Sequence, residues 1–131
     1  IYKKGECAMI DFKNGTFVKL KKTGNDVAKD VAQLYVAGEQ TVSCYKGMRD
    51  YVVFTNKRIF SVNVQGMTGK KKDFTSLPYS KIQAFSVETA GVLDMDSELE
   101  LYFSGLGMVK FEFSGASDIV QIGRIIGEYV L

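Results

Sequence analysis

Between Gln40 and Phe113 apolar residues recur mostly at every second position, the period an extended strand needs to bury one face and wet the other. Ser97 to Phe103 carries Leu99, Leu101 and Phe103 on one side and Glu98, Glu100 and Tyr102 on the other. Met108 to Phe113 alternates Val109, Phe111 and Phe113 with Lys110 and Glu112, and Gly105-Leu106-Gly107 supplies the turn between the two. Upstream, Gln40 to Lys46, Asp50 to Thr55, Arg58 to Val64, Lys71 to Leu77 and Ile82 to Thr89 read as five more strands, punctuated by Thr55-Asn56-Lys57, the Gly66 to Gly69 loop and Pro78. That makes seven strands. A flat antiparallel sheet of this size leaves hazardous edges, so it is expected to curl into a sandwich or a partly open barrel.

After Phe113 the period changes. Ile119, Ile122, Ile126 and Tyr129, widened by Val130, recur at helical spacing, and Ser117 or Asp118 followed by Gln121 offers a cap. An amphipathic helix arriving last is expected to plug the open end of the barrel through Ile119, Ile122 and Ile126. Residues 1–38 read as an N-terminal extension of hairpin and helix before the main domain, 39–131. Asn14-Gly15 is a hairpin turn signal between Met9 to Phe12 and Phe17 to Leu20. Asp26 to Ala37 places Val27, Val31, Leu34 and Tyr35 at helical spacing before Gly38, a C-terminal glycine.

Chemistry is constrained more by what is missing. There is no histidine among the 131 residues, which removes Ser-His-Asp and Cys-His nucleophilic sites and most zinc sites. Cys7 and Cys44 form no CxxC, and so sparse a cysteine content fits a reducing compartment, here the cytoplasm, better than a disulfide-stapled secreted domain. The chain starts at Ile1 without a methionine, so further residues are expected upstream. No stretch approaches the ~20 apolar residues of a membrane-spanning helix. The net charge of +2 splits unevenly: residues 1–90 hold fifteen Lys/Arg against eight Asp/Glu, residues 91–131 two against seven. A general nucleic-acid binder is basic throughout its surface, so no nucleic-acid partner is expected.

Three segments carry a family resemblance. Phe54-Thr55-Asn56-Lys57-Arg58-Ile59, Leu77-Pro78-Tyr79-Ser80-Lys81-Ile82 and Phe85-Ser86-Val87-Glu88-Thr89-Ala90-Gly91, in this order, resemble the bacterial pleckstrin-homology-like family. The resemblance covers residues 39–131 closely and Met9 to Leu20 more loosely. It implies a mostly-β fold of seven antiparallel strands in a sandwich or open barrel capped by a C-terminal helix, and it implies ring-like homo-oligomers. Eukaryotic relatives that bind phosphoinositides use a long basic loop between their first two strands and carry a tryptophan in the helix. Lys46-Gly47-Met48-Arg49-Asp50 is short, and the chain has no tryptophan.

The expected role is therefore a non-catalytic module, without cofactor or metal, that self-associates and binds a peptide or protein. The alternative is a peripheral membrane module that reads anionic headgroups. For that, Lys70, Lys71 and Lys72 after the glycine loop, joined by Lys57 and Arg58, form the candidate anion patch. Lysines on a strand end serve equally to discourage edge pairing. For the oligomer, Met67, Val92, Leu93, Asp94 and Asp96 form the candidate contact, apolar residues supplying affinity and the acidic run orientation. Asp94, Asp96, Glu98 and Glu100 alternate with Leu93, Met95, Ser97 and Leu99, which is the wet face of a strand rather than a calcium cage.

Overall fold

A strand that alternates apolar and polar residues is stable only where a second layer covers its apolar face, and the chain supplies that layer by folding its sheet over on itself. The computed structural model describes residues 16–93, 95–114 and 119–131. Eight strands follow one another: β1 (Thr16–Thr23), β2 (Thr41–Lys46), β3 (Tyr51–Thr55), β4 (Arg58–Gln65), β5 (Lys71–Pro78), β6 (Ile82–Glu88), β7 (Ser97–Phe103) and β8 (Gly107–Phe113). Among the described residues one α-helix, α1 (Ile119–Val130), follows them. All seven strands expected between Gln40 and Phe113 are present.

The strands form one open sheet in the order β5-β4-β3-β2-β1-β8-β7-β6. Every pairing is antiparallel except β1 with β8, which is parallel. β1 is therefore a central strand that joins two halves. Its first residues pair with β8 (Phe17 opposite Phe111), and Lys21 to Thr23 pair with β2. The change of partner coincides with a register shift at which Lys19 takes φ +54°, a left-handed conformation uncommon for a residue with a side chain. The other arm of the expected N-terminal hairpin, and Asn14-Gly15, lie outside the described residues.

The main core lies between the two halves. Val52, Phe54, Ile59, Leu99, Leu101, Phe111 and Phe113 are buried there with Ile119, Ile122 and Ile126 of α1. The helix packs against β6, β7 and a 3-10 turn, Tyr79–Lys81, that links the sheet's two edge strands. Ile125 is buried too, whereas Tyr129 is partly exposed and stacks on Tyr79, ring centres 5.3 Å apart. Glycine in a helix interior costs about 1 kcal/mol, but here it admits β6. A Cβ on Gly123 would lie 3.1 Å from Val87 Cγ2. The capping residues Ser117 and Asp118 lie outside the described residues.

A second core covers the other face of β2, β3 and β4. Cys44, Tyr51, Val53, Phe60 and Val62 are buried there under Ala28 and Val31. That explains why Tyr51 to Thr55 is apolar almost without interruption, since β3 is buried on both faces. The cover is not the α-helix expected over Asp26 to Ala37. It is two 3-10 turns, Asn25–Lys29 and Val31–Leu34. Ala28 and Val31, the two buried positions, are three apart, the 3-10 repeat, and Leu34 is left exposed. No side chain caps either turn, and β-branched Val27, Val31 and Val36 give little α-propensity to compensate. Gly38 does take the left-handed conformation, at φ +80°.

Candidate functional site

Two regions of the sheet carry the exposed chemistry. At the first, the β2–β3 loop and the β4–β5 loop lie side by side, tied by Arg49 Nη2 donating to Gly66 O at 2.5 Å. Gly66 and Gly69 hold the second loop in its turn with φ of +78° and +68°. Between the first loop and β1 opens a cleft of about 480 Å³, lined by the apolar Phe17, Leu20, Met48 and Val64 and by Lys19, Arg49, Asp50 and Asn63. Asp50 turns its carboxylate to the Val64 N–H, 2.9 Å away. Met48 (97%) and Met67 stand almost wholly in solvent at the loop tips.

Cations surround this end. Lys21 on β1 lies directly opposite Lys46 on β2, and both are exposed. Lys29, Lys46, Arg49 and Lys72 also line a smaller cleft of about 300 Å³ beside the first 3-10 turn, facing Asp26 and Asp30. Lys72 is paired with Asp30. The hydrogen bond from the ammonium holds the Asp30 carboxyl below its usual range, and the carboxylate raises Lys72.

The other half of the sheet is acidic, starting on β8 beside β1. Glu88 on β6 lies opposite Glu98 on β7, which in turn lies opposite Glu112 on β8. Three carboxylates thus stand in one row across three strands. Lys110 reaches Glu98 at 3.6 Å and Glu100 at 3.9 Å, and one ammonium at these distances does not offset three carboxylates. The loop joining β6 to β7 leads from this row, with Val92 94% and Leu93 99% exposed.

The residues singled out from sequence divide between these places. Lys57 and Arg58 are not with Lys70, Lys71 and Lys72. They sit at opposite ends of the β4–β5 hairpin, separated along the eight residues of β4 by roughly 25 Å. Arg58 is also already engaged. Its Nε and Nη2 donate to the buried carboxylate of Glu39 at 3.0 and 2.8 Å, Nη2 donates to Leu34 O at 2.8 Å, and its guanidinium lies over the Phe60 ring. Lys70 and Lys71 are exposed. Of the expected oligomer contacts, Met67 stands in the β4–β5 loop among the cations, and Val92 and Leu93 in the loop between β6 and β7 that leads from the acidic row. Asp96 is partly buried, and Asp94 lies outside the described residues.

Sequence reasoning missed the Glu39–Arg58 pair, Met48, Lys19 and both like-charge rows. Partners 19 positions apart leave no local pattern, and a row across strands is visible only once the register is known.

Burial pushes the Cys44 thiol up to about 11. Among the described residues no group of three or more metal-ligating side chains is present, and no helix is long and apolar enough to cross a membrane.

An open sheet folded into two halves, a helix against one of them and loops converging at the free end make up a pleckstrin-homology-type architecture, and the sequence carries the same signal. The family model for the bacterial PH domain matches residues 11–130. The chain belongs to the bacterial PH-domain family. A crystal structure of a DUF1696 family protein with a pleckstrin-homology domain from Shewanella loihica PV-4 is 36% identical, with a TM-score of 0.75 over 87% of this chain and 99% of that one. A pleckstrin homology domain from Shewanella amazonensis SB2B is 39% identical, with a TM-score of 0.63 over 82% of this chain and 87% of that one. The Bacillus subtilis protein YjqA, itself uncharacterized, is 42% identical over 102 residues, 76% of this chain and 82% of its own length. The fold expectation drawn from sequence is thereby borne out, with β1 as an eighth strand inside the sheet.

Proposed function

We propose that this bacterial PH domain is a non-catalytic assembly module that self-associates through unlike surfaces and presents its free sheet edges to a peptide or protein. The observation that carries this reading is the pair of like-charge rows of opposite sign, Lys21 opposite Lys46 and Glu88–Glu98–Glu112, on the two halves of one sheet. Like charges directly opposite on neighbouring strands destabilise the subunit that bears them. Facing one another across a subunit contact, the rows neutralise, and a contact between unlike patches closes into a ring when the rotation allows. Among the described residues β5 and β6 each have one side unpaired, the geometry on which an extended peptide adds a strand. Among the described residues the one thiol, Cys44, is buried and weakly acidic, and the chain has no histidine to activate a nucleophile, which supports the non-catalytic reading.

Light scattering coupled to size exclusion tests the assembly. The expected mass at micromolar concentration is an integer multiple of 14.6 kDa greater than one. It is expected to fall as salt screens the rows. A monomer at low salt overturns the reading.

One observation favours a second reading as a peripheral membrane module in the same cytoplasmic setting. Met48 and Met67 project from adjoining loops beside Lys70 and Lys71, an apolar tip within a basic collar. Each lysine near an anionic surface contributes about 1 kcal/mol. Co-sedimentation with phosphatidylserine vesicles is the test, with Lys70→Glu and Lys71→Glu as the variant because Lys72 is held by Asp30. On this reading binding occurs at low salt and drops at least tenfold in the variant. Equal sedimentation with neutral vesicles, or binding indifferent to salt, refutes it.

A further inference from the structure

We infer that the subunit contact is a tip seated in a cleft: Val92 and Leu93 of one copy enter the 480 Å³ cleft between β1 and the β2–β3 loop of the next. This rests on the self-association reading and names the two surfaces it requires. The tip is built for burial. Two adjacent aliphatic side chains, 94% and 99% exposed, extend from a loop with no apolar neighbour covering them. Their exposure also means that they do not occupy the cleft of their own chain. The cleft offers an apolar floor, Phe17, Leu20 and Val64, with Met48 at its rim as an adaptable lip. Its volume falls within the range of sites that enclose small ligands and admits two aliphatic side chains.

Charge assigns the occupant. Lys19 and Arg49 outnumber Asp50, the one described acid on the cleft wall, and Lys46 stands two residues before Met48, so the mouth carries a positive excess. The tip is flanked by Glu88 on the entering strand and Glu98 on the leaving one, the first two members of the acidic row. Seating the tip therefore brings the acidic row of one copy toward the Lys21–Lys46 row of the next. Both like-charge registers, unfavourable in the free subunit, become favourable across the contact. A neutral or basic partner segment would gain the apolar burial and forfeit this.

Two variants, each spoiling one surface, test the assignment. Val92→Asp with Leu93→Asp alters the tip. Lys46→Glu with Met48→Asp alters the cleft. All four positions are exposed, and Lys46→Glu turns the repulsion with Lys21 into an attraction, so thermal melts are expected to stay within a few degrees of wild type. Each variant alone should run as a 14.6 kDa monomer. A 1:1 mixture should recover a species of twice that mass, because the tip variant keeps an intact cleft and the cleft variant an intact tip. If the wild type assembles and the tip variant keeps the wild-type mass, this contact is wrong and self-association stands. If both variants are monomeric and their mixture stays monomeric, the two surfaces are not each other's partners. A monomeric wild type removes the assembly reading and this contact together.

Discussion

Replacing Arg58 by alanine is expected to destabilise the fold by about 3 to 5 kcal/mol, because it strands a buried charge. Glu39 has no side-chain exposure, and its carboxylate accepts from Arg58 Nε and Nη2, from Thr55 Oγ1 at 2.7 Å and from the Val36 N–H at 3.0 Å. The same guanidinium bonds Leu34 O, so it fastens the second 3-10 turn to the start of β4. Without Arg58 the carboxylate keeps two donors and loses its counter-charge, while the turn that covers the second core loses its anchor. The melting temperature should fall on the order of 10 to 20 °C. Arg58→Lys should recover part of this, since an ammonium restores charge but not the two-pronged geometry. A fall of under about 0.5 kcal/mol for Arg58→Ala, the scatter of ordinary surface substitutions, overturns the account.

The pair also sets a pH dependence. Burial pushes the Glu39 carboxyl up, but the hydrogen bonds from Arg58, Thr55 and Val36 outweigh it and hold the group below its ordinary value. A carboxylate held low in the folded state contributes stability above the unfolded value, about 4.3, and loses it as pH falls through the folded one. In Arg58→Ala the desolvation persists without its main compensation, so Glu39 should titrate higher. The gap between wild type and variant is therefore largest near neutral pH and narrows as pH falls, because Glu39 of the variant takes up its proton first. Denaturant melts at pH 7 and pH 4 read this directly.

How much of this was legible follows from where the governing contacts lie in the chain. β7 and β8 were plain because one face is wet and one dry, so Leu99, Leu101 and Phe103 mark every second position. β3 was plain as a strand but not as a doubly buried one, since its second cover comes from Ala28 and Val31 far upstream. The segment Asp26 to Ala37 reads as an α-helix because Val27, Val31 and Leu34 follow the α repeat, whereas the buried pair Ala28 and Val31 follows the 3-10 one. β1 read as half of a hairpin. Its central position depends on parallel pairing with β8, roughly 90 residues away, and no local spacing encodes that. The candidate patch divides in two for a similar reason. Lys57 and Lys70 look close in a list of turns, yet an eight-residue strand keeps them apart. What composition did convey was the charge split, and the register turned that split into two rows.

Truncating Ile122 to alanine is expected to cost about 2 to 5 kcal/mol, the range for removing a large aliphatic side chain from a packed core. The residue is fully buried in the main cluster, one turn from Ile119 and Ile126, where α1 faces β6 and β7. Its neighbours cannot collapse freely into the gap. The glycine beside it, Gly123, already lets Val87 approach the helix to a distance that leaves no slack, and Tyr129 is held by its stack on Tyr79. A cavity that stays open loses contacts as well as transfer free energy, which argues for the upper half of the range. Val120, on the opposite face and exposed, is the matched control: Val120→Ala should change the melting temperature by no more than a degree or two. If Ile122→Ala melted with the control, α1 would not be the lid of the sheet. The assembly offers a second readout. The helix lies on neither the basic cleft nor the Val92–Leu93 tip, so Ile122→Ala at a temperature where it is still folded should keep the wild-type mass in solution.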